Sequence, residues 1–307
     1  MFKKIVFMGT PEFSVPILKS LYQNGYPISA VYCQPPKASN RGQQVNKSEV
    51  QKFSENITLI VRTPKNLKNN LEELNYFKNL NPDIAIVVAY GQLIPKEFLK
   101  IPKHGFINIH ASLLPKWRGA APIQRCIMNR DKITGISVMK LEESLDTGPI
   151  LLKKEIELDN KLNSEKLANK LSRMGSEVIL DCLDLIESGK AKFVNQNHDN
   201  ATHAKKILKE ESKIDWKKNA EDIIAKINGL YPNPSAHFSF NGERFKVIEV
   251  DFVNLSGNPG LVLDNKLTIG CGSNSLRILQ IQRQGKNVQK VGDFLIGSKI
   301  KKGTILS

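Results

Sequence analysis

Apolar runs and helical periods alternate along the first part of the chain. Residues 5–8 form a short apolar run, closed by the turn Gly9-Thr10-Pro11. Phe13, Ile17, Leu18 and Leu21 then recur at helical spacing, and Gly25 ends that helix. Residues 28–33 read as the next strand, so the chain opens as a βαβ unit. Further strands are predicted at 57–61, 133–141 and 150–156, and helices at 67–80 and 122–128. The run 83–89 is apolar throughout, as a parallel strand buried on both faces requires. Phe106, Ile107 and Ile109 are apolar and β-prone, which reads as the end of another buried strand. The stretch 164–187 keeps its apolar residues, from Leu167 to Ile186, on or near one helical face, and Glu187-Ser188-Gly189 ends it. This pattern predicts a Rossmann-like α/β domain.

The texture changes after Lys190, where the chain turns polar to about Lys209. A helix at 220–228 leads to Leu230-Tyr231-Pro232-Asn233-Pro234. Short β-like runs follow at 236–240, 244–252, 260–263, 267–270 and 276–281, broken by Asn241-Gly242 and Gly257-Asn258-Pro259. Short strands at such close spacing predict a small barrel. The expected division is a domain over 1–189, a linker over 190–209 and a barrel domain over 210–307. Residues 34–49 stand apart as a polar, irregular loop. Lys37, Arg41 and Lys47 make it basic, and Pro35, Pro36 and Gly42 oppose regular structure.

Composition narrows the function. A length of 307 residues is comfortable for two domains, each with its own core. The 45 Lys and Arg outnumber the 30 Asp and Glu, for a net charge of +15. Lys205, Lys206, Lys209, Lys213, Lys217 and Lys218 supply charge around the linker. Arg283, Lys286, Lys290, Lys299, Lys301 and Lys302 supply more near the C-terminus. Such an excess favours a polyanionic partner, above all nucleic acid. An Asn- and Lys-rich composition raises the same charge without any partner. Cys33, Cys126, Cys182 and Cys271 are scattered, with neither C-x-x-C nor paired spacing, which argues for the reducing cytoplasm and against a zinc site. No apolar run has membrane-spanning length, and the N-terminus reads as strand and turn rather than as a signal peptide. The βαβ opening lacks G-x-G-x-x-G, which disfavours a dinucleotide.

Candidate chemistry gathers between Phe106 and Gly148. Asn108 and His110 lie two apart on one strand, so both side chains leave by the same face. Asp146 follows in a Gly-bounded loop. The three can converge at the carboxyl edge of the sheet, where open α/β sheets bind ligands. An amide, an imidazole and a carboxylate suit acyl transfer to an amine. Asn108 and His110 can donate to a tetrahedral oxyanion, while Asp146 orients His110 and helps to remove the amine proton. No covalent nucleophile is needed.

The segment between them, S-L-L-P-K-W-R-G-A-A-P-I, joins M-G-T-P-E-F at 8–13, A-Y-G at 89–91 and L-D-T-G at 145–148. Together these resemble the folate-dependent formyltransferases along nearly the whole chain. The resemblance implies Asn108, His110 and Asp146 as the catalytic trio and no metal. It implies Ser112, Leu113, Leu114 and Pro115, with Tyr90 and Gly91, as contacts to the co-substrate 10-formyltetrahydrofolate. Arg41 and Gly42 match an Arg-Gly in a loop that meets the tRNA acceptor end. The barrel is then expected to be OB-like, the acceptor methionyl-initiator tRNA, and the protein a cytoplasmic monomer. Pro36 and Pro149 stand where the family usually has acidic residues. Two other readings remain open: formylation of a small amine, such as a sugar nucleotide or glycinamide ribonucleotide, and a non-catalytic RNA-binding role.

Overall fold

The computed structural model describes residues 2–39, 44–159 and 161–307. By contact these residues divide into two compact units. The first holds 1–119, 134–156 and 168–203, and the second 120–133, 157–167 and 204–307.

The first unit is built on a seven-stranded sheet. Its strands are β1 (Ile5–Gly9), β2 (Ile28–Tyr32), β3 (Val61–Arg62), β4 (Ile84–Val88), β5 (Phe106–His110), β6 (Ile133–Lys140) and β7 (Ile150–Glu157). Their order is β7-β6-β5-β4-β1-β2-β3. From β3 to β5 every pairing is parallel, and β6 runs antiparallel to β5. The central strands β1, β4 and β5 are buried at every position. This is the doubly covered sheet that their unbroken apolar runs require. Beneath one face, Phe77 meets the rings of Tyr32, Phe98 and Phe106 at 5.8, 5.4 and 5.8 Å. Each such pair adds about 0.5–1.5 kcal/mol beyond the area it buries. The cluster seats the start of β5, the strand that carries Asn108 and His110.

Helix α1 (Val15–Gln23) follows a 3-10 turn at Glu12–Ser14 that Pro11 precedes. The loop expected over 34–49 is more regular than its prolines suggested. Lys37–Ser39 pairs antiparallel with Gln44–Asn46, because both prolines precede the first strand and leave its ladder intact. Arg41 and Gly42 lie outside the described residues. Helix α2 (Glu49–Asn56), capped by the Ser48 side chain accepting from Gln51 N, was not expected. It takes up the chain before the predicted strand at 57–61, of which only Val61 is strand, at the start of β3. Helix α3 (Leu71–Leu80) starts later than predicted, because Asn69 has φ +58° and Asn70 caps the helix.

In the second unit, α4 (Pro122–Met128) packs against α6 (Ala220–Leu230), where Gly229 leaves room for Met128. Helix α5 (Ser164–Glu187), which belongs to the first unit from residue 168 on, buries Leu167, Leu171, Val178, Ile179, Cys182 and Leu183, as its period predicts. A five-stranded antiparallel sheet joins β8 (His237–Phe240), β9 (Glu243–Val253), β10 (Thr268–Gly270), β11 (Ser275–Arg283) and β12 (Val288–Lys290). Its core holds Trp216, Phe238, Phe245, Ile278 and Phe294. The run at 260–263 makes only the bridges Leu261–Ile305 and Val262–Ile269. The units are thus discontinuous in sequence, unlike the expected cuts at 189 and 209. The apolar face of α4 is matched by α6, and the polar stretch 190–203 hydrogen-bonds within the first unit. No described helix is long and apolar enough to cross a membrane.

Candidate active site

The carboxyl ends of β1, β4 and β5 carry Gly9, the Tyr90-Gly91 turn and His110. On β5, Asn108 lies opposite Met139 and His110 opposite Ser137 of β6. Both side chains leave by one face and are nearly enclosed, at 8 % and 7 % exposure, and Asp146 is 5 % exposed. Asp146 Oδ2 lies 3.7 Å from His110 Nδ1. The structure therefore brings His110 and Asp146 together across 36 residues of sequence, as expected.

The loop that links them sets their orientation. His110 Nε2 lies 2.9 Å from the carbonyl oxygen of Trp117. A carbonyl only accepts, so Nε2 bears the proton and Nδ1 is the nitrogen turned toward Asp146. Two residues later, Gly119 N–H donates to Asp146 Oδ2 at 2.8 Å. The W-R-G segment thus grips both members of the pair. The ring-orienting part expected of Asp146 falls to Trp117, because 3.7 Å exceeds a hydrogen bond.

Asp146 has φ +54°, in the left-handed region. Nearby, a Cβ on Gly148 would fall inside contact distance of the Lys140 carbonyl oxygen. Gly148→Ala must therefore displace the backbone beside Asp146. Its turnover is expected to fall roughly 10–100-fold, since a shift of about 1 Å in a catalytic group costs about 10²-fold. Steady-state kinetics beside a thermal melt checks this, and wild-type turnover would refute it.

The segment 112–115 is set by its own contacts. Ser112 Oγ donates to Lys116 O at 2.6 Å, and Leu114 N donates to Ser137 Oγ at 3.0 Å. The Leu114 side chain is buried with Met139 and Ile150. Leu113 is half-buried. Pro115 is half-buried too, whereas Ser112 and Leu114 are fully buried. Tyr90 is 1 % exposed, and its phenol oxygen has no hydrogen-bond partner among the described residues. Burial raises its pKa. Gly91, at φ +80°, accepts from Gln34 Nε2 at 2.7 Å.

Sequence reasoning missed the stretch 194–202. Thr202 takes Trp117 N–H on its hydroxyl at 2.9 Å and Arg118 N–H on its carbonyl at 2.9 Å. Gln196 and His198 contact the Arg118 guanidinium. His198, in the 3-10 turn His198–Asn200, therefore neighbours the candidate site. The one signal available was A-T-H-A at 201–204, which reads only as part of a polar run. A cleft of about 750 Å³ is lined wholly by the second unit and holds none of the trio.

The formyl transferase family model matches residues 3–183, and the model of the formyl transferase C-terminal domain matches 206–299. The methionyl-tRNA formyltransferase of Pelagibacter ubique (strain HTCC1062) is 54 % identical over 305 residues, covering 99 % of this chain and 98 % of that one. That of Caldanaerobacter subterraneus subsp. tengcongensis is 43 % identical over 307 residues, 99 % of each chain. HypX from Aquifex aeolicus, solved in complex with tetrahydrofolic acid, shares the fold with a TM-score of 0.68 at 17 % identity, over 99 % of this chain and 50 % of HypX. WlaRD, a sugar 3N-formyl transferase solved in the presence of dTDP and 5-N-formyl-THF, does so with a TM-score of 0.65 at 19 % identity, over 92 % of this chain and 98 % of WlaRD. On these matches, the chain belongs to the methionyl-tRNA formyltransferases of the formyl transferase family.

Proposed function

We propose that Asn108, His110 and Asp146 move a formyl group from 10-formyltetrahydrofolate to the amino group of methionyl-initiator tRNA. Formylation of methionyl-tRNA with a folate-borne formyl group follows from membership of this family over essentially the full chain. The residue roles are our reading. The observation that carries them is the enclosed His110–Asp146 pair at 3.7 Å, two residues from Asn108 on a buried strand.

The methionyl amine attacks the formyl carbon and a tetrahedral oxyanion forms. Asn108 donates to that oxygen through its amide. His110 donates through Nδ1 when charged, because Nε2–H is engaged by Trp117. Asp146 balances the imidazolium and accepts the proton that the amine loses. The C–N bond to the folate then breaks, and the folate nitrogen takes up a proton. The donor lies along 112–115 and against Tyr90 and Gly91, where the buried phenol still offers a hydrogen bond. Arg41 and Gly42 meet the acceptor end of the tRNA. The setting is cytoplasmic, in keeping with Cys33, Cys182 and Cys271 as buried thiols, and the enzyme works as a monomer.

Purified protein mixed with 10-formyltetrahydrofolate and charged initiator tRNA is expected to yield formylmethionyl-tRNA. Parallel reactions with an amino-sugar nucleotide and with glycinamide ribonucleotide are expected to yield none. Transfer to a small amine in preference to tRNA would overturn the acceptor.

A further inference from the structure

We infer that Gln196, held by Arg118, is a positioning residue that keeps Asp146 in its working conformation. A non-glycine residue stays in the left-handed region only where its surroundings hold it there. Asp146 is such a residue, at φ +54°. Gln196 Nε2 donates one proton to Asp146 O at 2.9 Å and the other to Gly148 O at 2.8 Å. A single amide thereby fixes the carbonyls on both sides of Thr147.

The amide is itself fixed. Gln196 Oε1 accepts from Arg118 Nε at 3.1 Å and from Nη2 at 2.7 Å. Arg118 Nη2 also donates to His198 Nδ1 at 3.1 Å. The fork of a guanidinium permits one orientation of the amide, with oxygen toward Arg118 and nitrogen toward the loop. Arg118 and Gln196 are 5 % and 7 % exposed, so water does not replace these bonds cheaply.

The bonds close a ring. From the Arg118 side chain the path runs through Gln196 to the backbone of Asp146. It continues through the Asp146 carboxylate to Gly119 N–H, and so back to Arg118. Trp117, the residue before Arg118, holds His110 Nε2. Arg118 thus ties the backbone of Asp146 to the same short segment that orients the imidazole. The ring sets the approach of Asp146 Oδ2 to His110 Nδ1 without touching substrate. Gln196 lies in no regular element, and its buried amide bonds to Arg118 and to the carbonyls of Asp146 and Gly148.

This inference rests on Asp146 being the catalytic carboxylate, and the test separates the two. Gln196→Met keeps length and burial and removes every polar contact. It is made alone and in an Asp146→Asn background, with single-turnover rates, KM for donor and for tRNA, and the pH profile of kcat. Gln196→Met alone is expected to lower kcat roughly 10–100-fold, the scale of a misplaced catalytic group. Both KM values are expected to stay within about twofold, and the pH profile to shift, because the His110–Asp146 approach changes. In the Asp146→Asn background the same substitution is expected to cost nothing further, since the two act as a unit. Full turnover in Gln196→Met, or a loss that multiplies with that of Asp146→Asn, overturns the inference and leaves the trio standing. Full turnover in Asp146→Asn overturns the trio, and this inference with it. If Gln196→Met fails to fold, Arg118→Lys keeps the charge but loses the fork. It is expected to lower kcat with KM unchanged, and unchanged kcat there overturns the inference as well.

Discussion

Asp146→Asn is expected to abolish nearly all turnover while leaving fold and donor binding largely intact. The amide keeps the size of the carboxylate and can still accept from Gly119 N–H through its oxygen. It cannot accept the amine proton, nor balance a charged His110 at 3.7 Å. Asn108→Ala and His110→Ala are each expected to cost about 10²-fold or more, the usual scale for losing an oxyanion donor. The three losses should not multiply, because the groups serve one transition state. Kinetics of all three variants, beside donor titrations, check this. Near-normal turnover in Asp146→Asn would remove the carboxylate from the mechanism.

The second large effect concerns salt. A cleft of about 600 Å³ in the second unit is lined by Lys206, Lys209, Arg244 and Lys246, with no carboxylate among its described lining residues. Arg244 Nε is buried there without a hydrogen-bond partner among the described residues. Arg283 belongs elsewhere, since Glu243 pairs with it at 2.5 Å and cancels a charge that the sequence alone would count as available. If about five cations meet phosphates, tRNA affinity falls with a log–log slope near −4.5. Between 50 and 200 mM salt that is a loss of roughly 500-fold. Reversing two charges together, Lys206→Glu with Lys209→Glu, is expected to flatten the slope by about 1.8. Donor binding should not respond. Salt-independent tRNA binding would favour a small-amine acceptor instead.

The same division between local and distant causes explains what the sequence shows. Elements made by burying apolar side chains leave a periodic trace, so β4 and α5 were legible almost to the residue. Alternation on β5 placed Asn108 and His110 on one face before any tertiary contact was known. The proposed trio was legible too, because acyl transfer restricts residue types and their place at a strand end.

Contacts between polar groups far apart in sequence leave no such trace. The strands at Lys37–Ser39 and Gln44–Asn46 are made by backbone bonds to each other, which side-chain composition does not announce. Nothing periodic marks Trp117 as the group that orients His110, or Thr202 as the anchor of Trp117. Gln196 sits in a stretch that reads as linker, yet it is buried against the loop that carries Asp146. Only tertiary structure could decide these, since a hydrogen bond needs two partners at about 3 Å with matched geometry, and a linear chain specifies one partner at a time. Membership of the units was decided in the same way. The face of α4 is apolar in any context, but that α6 covers it follows from packing, not from its place in the chain.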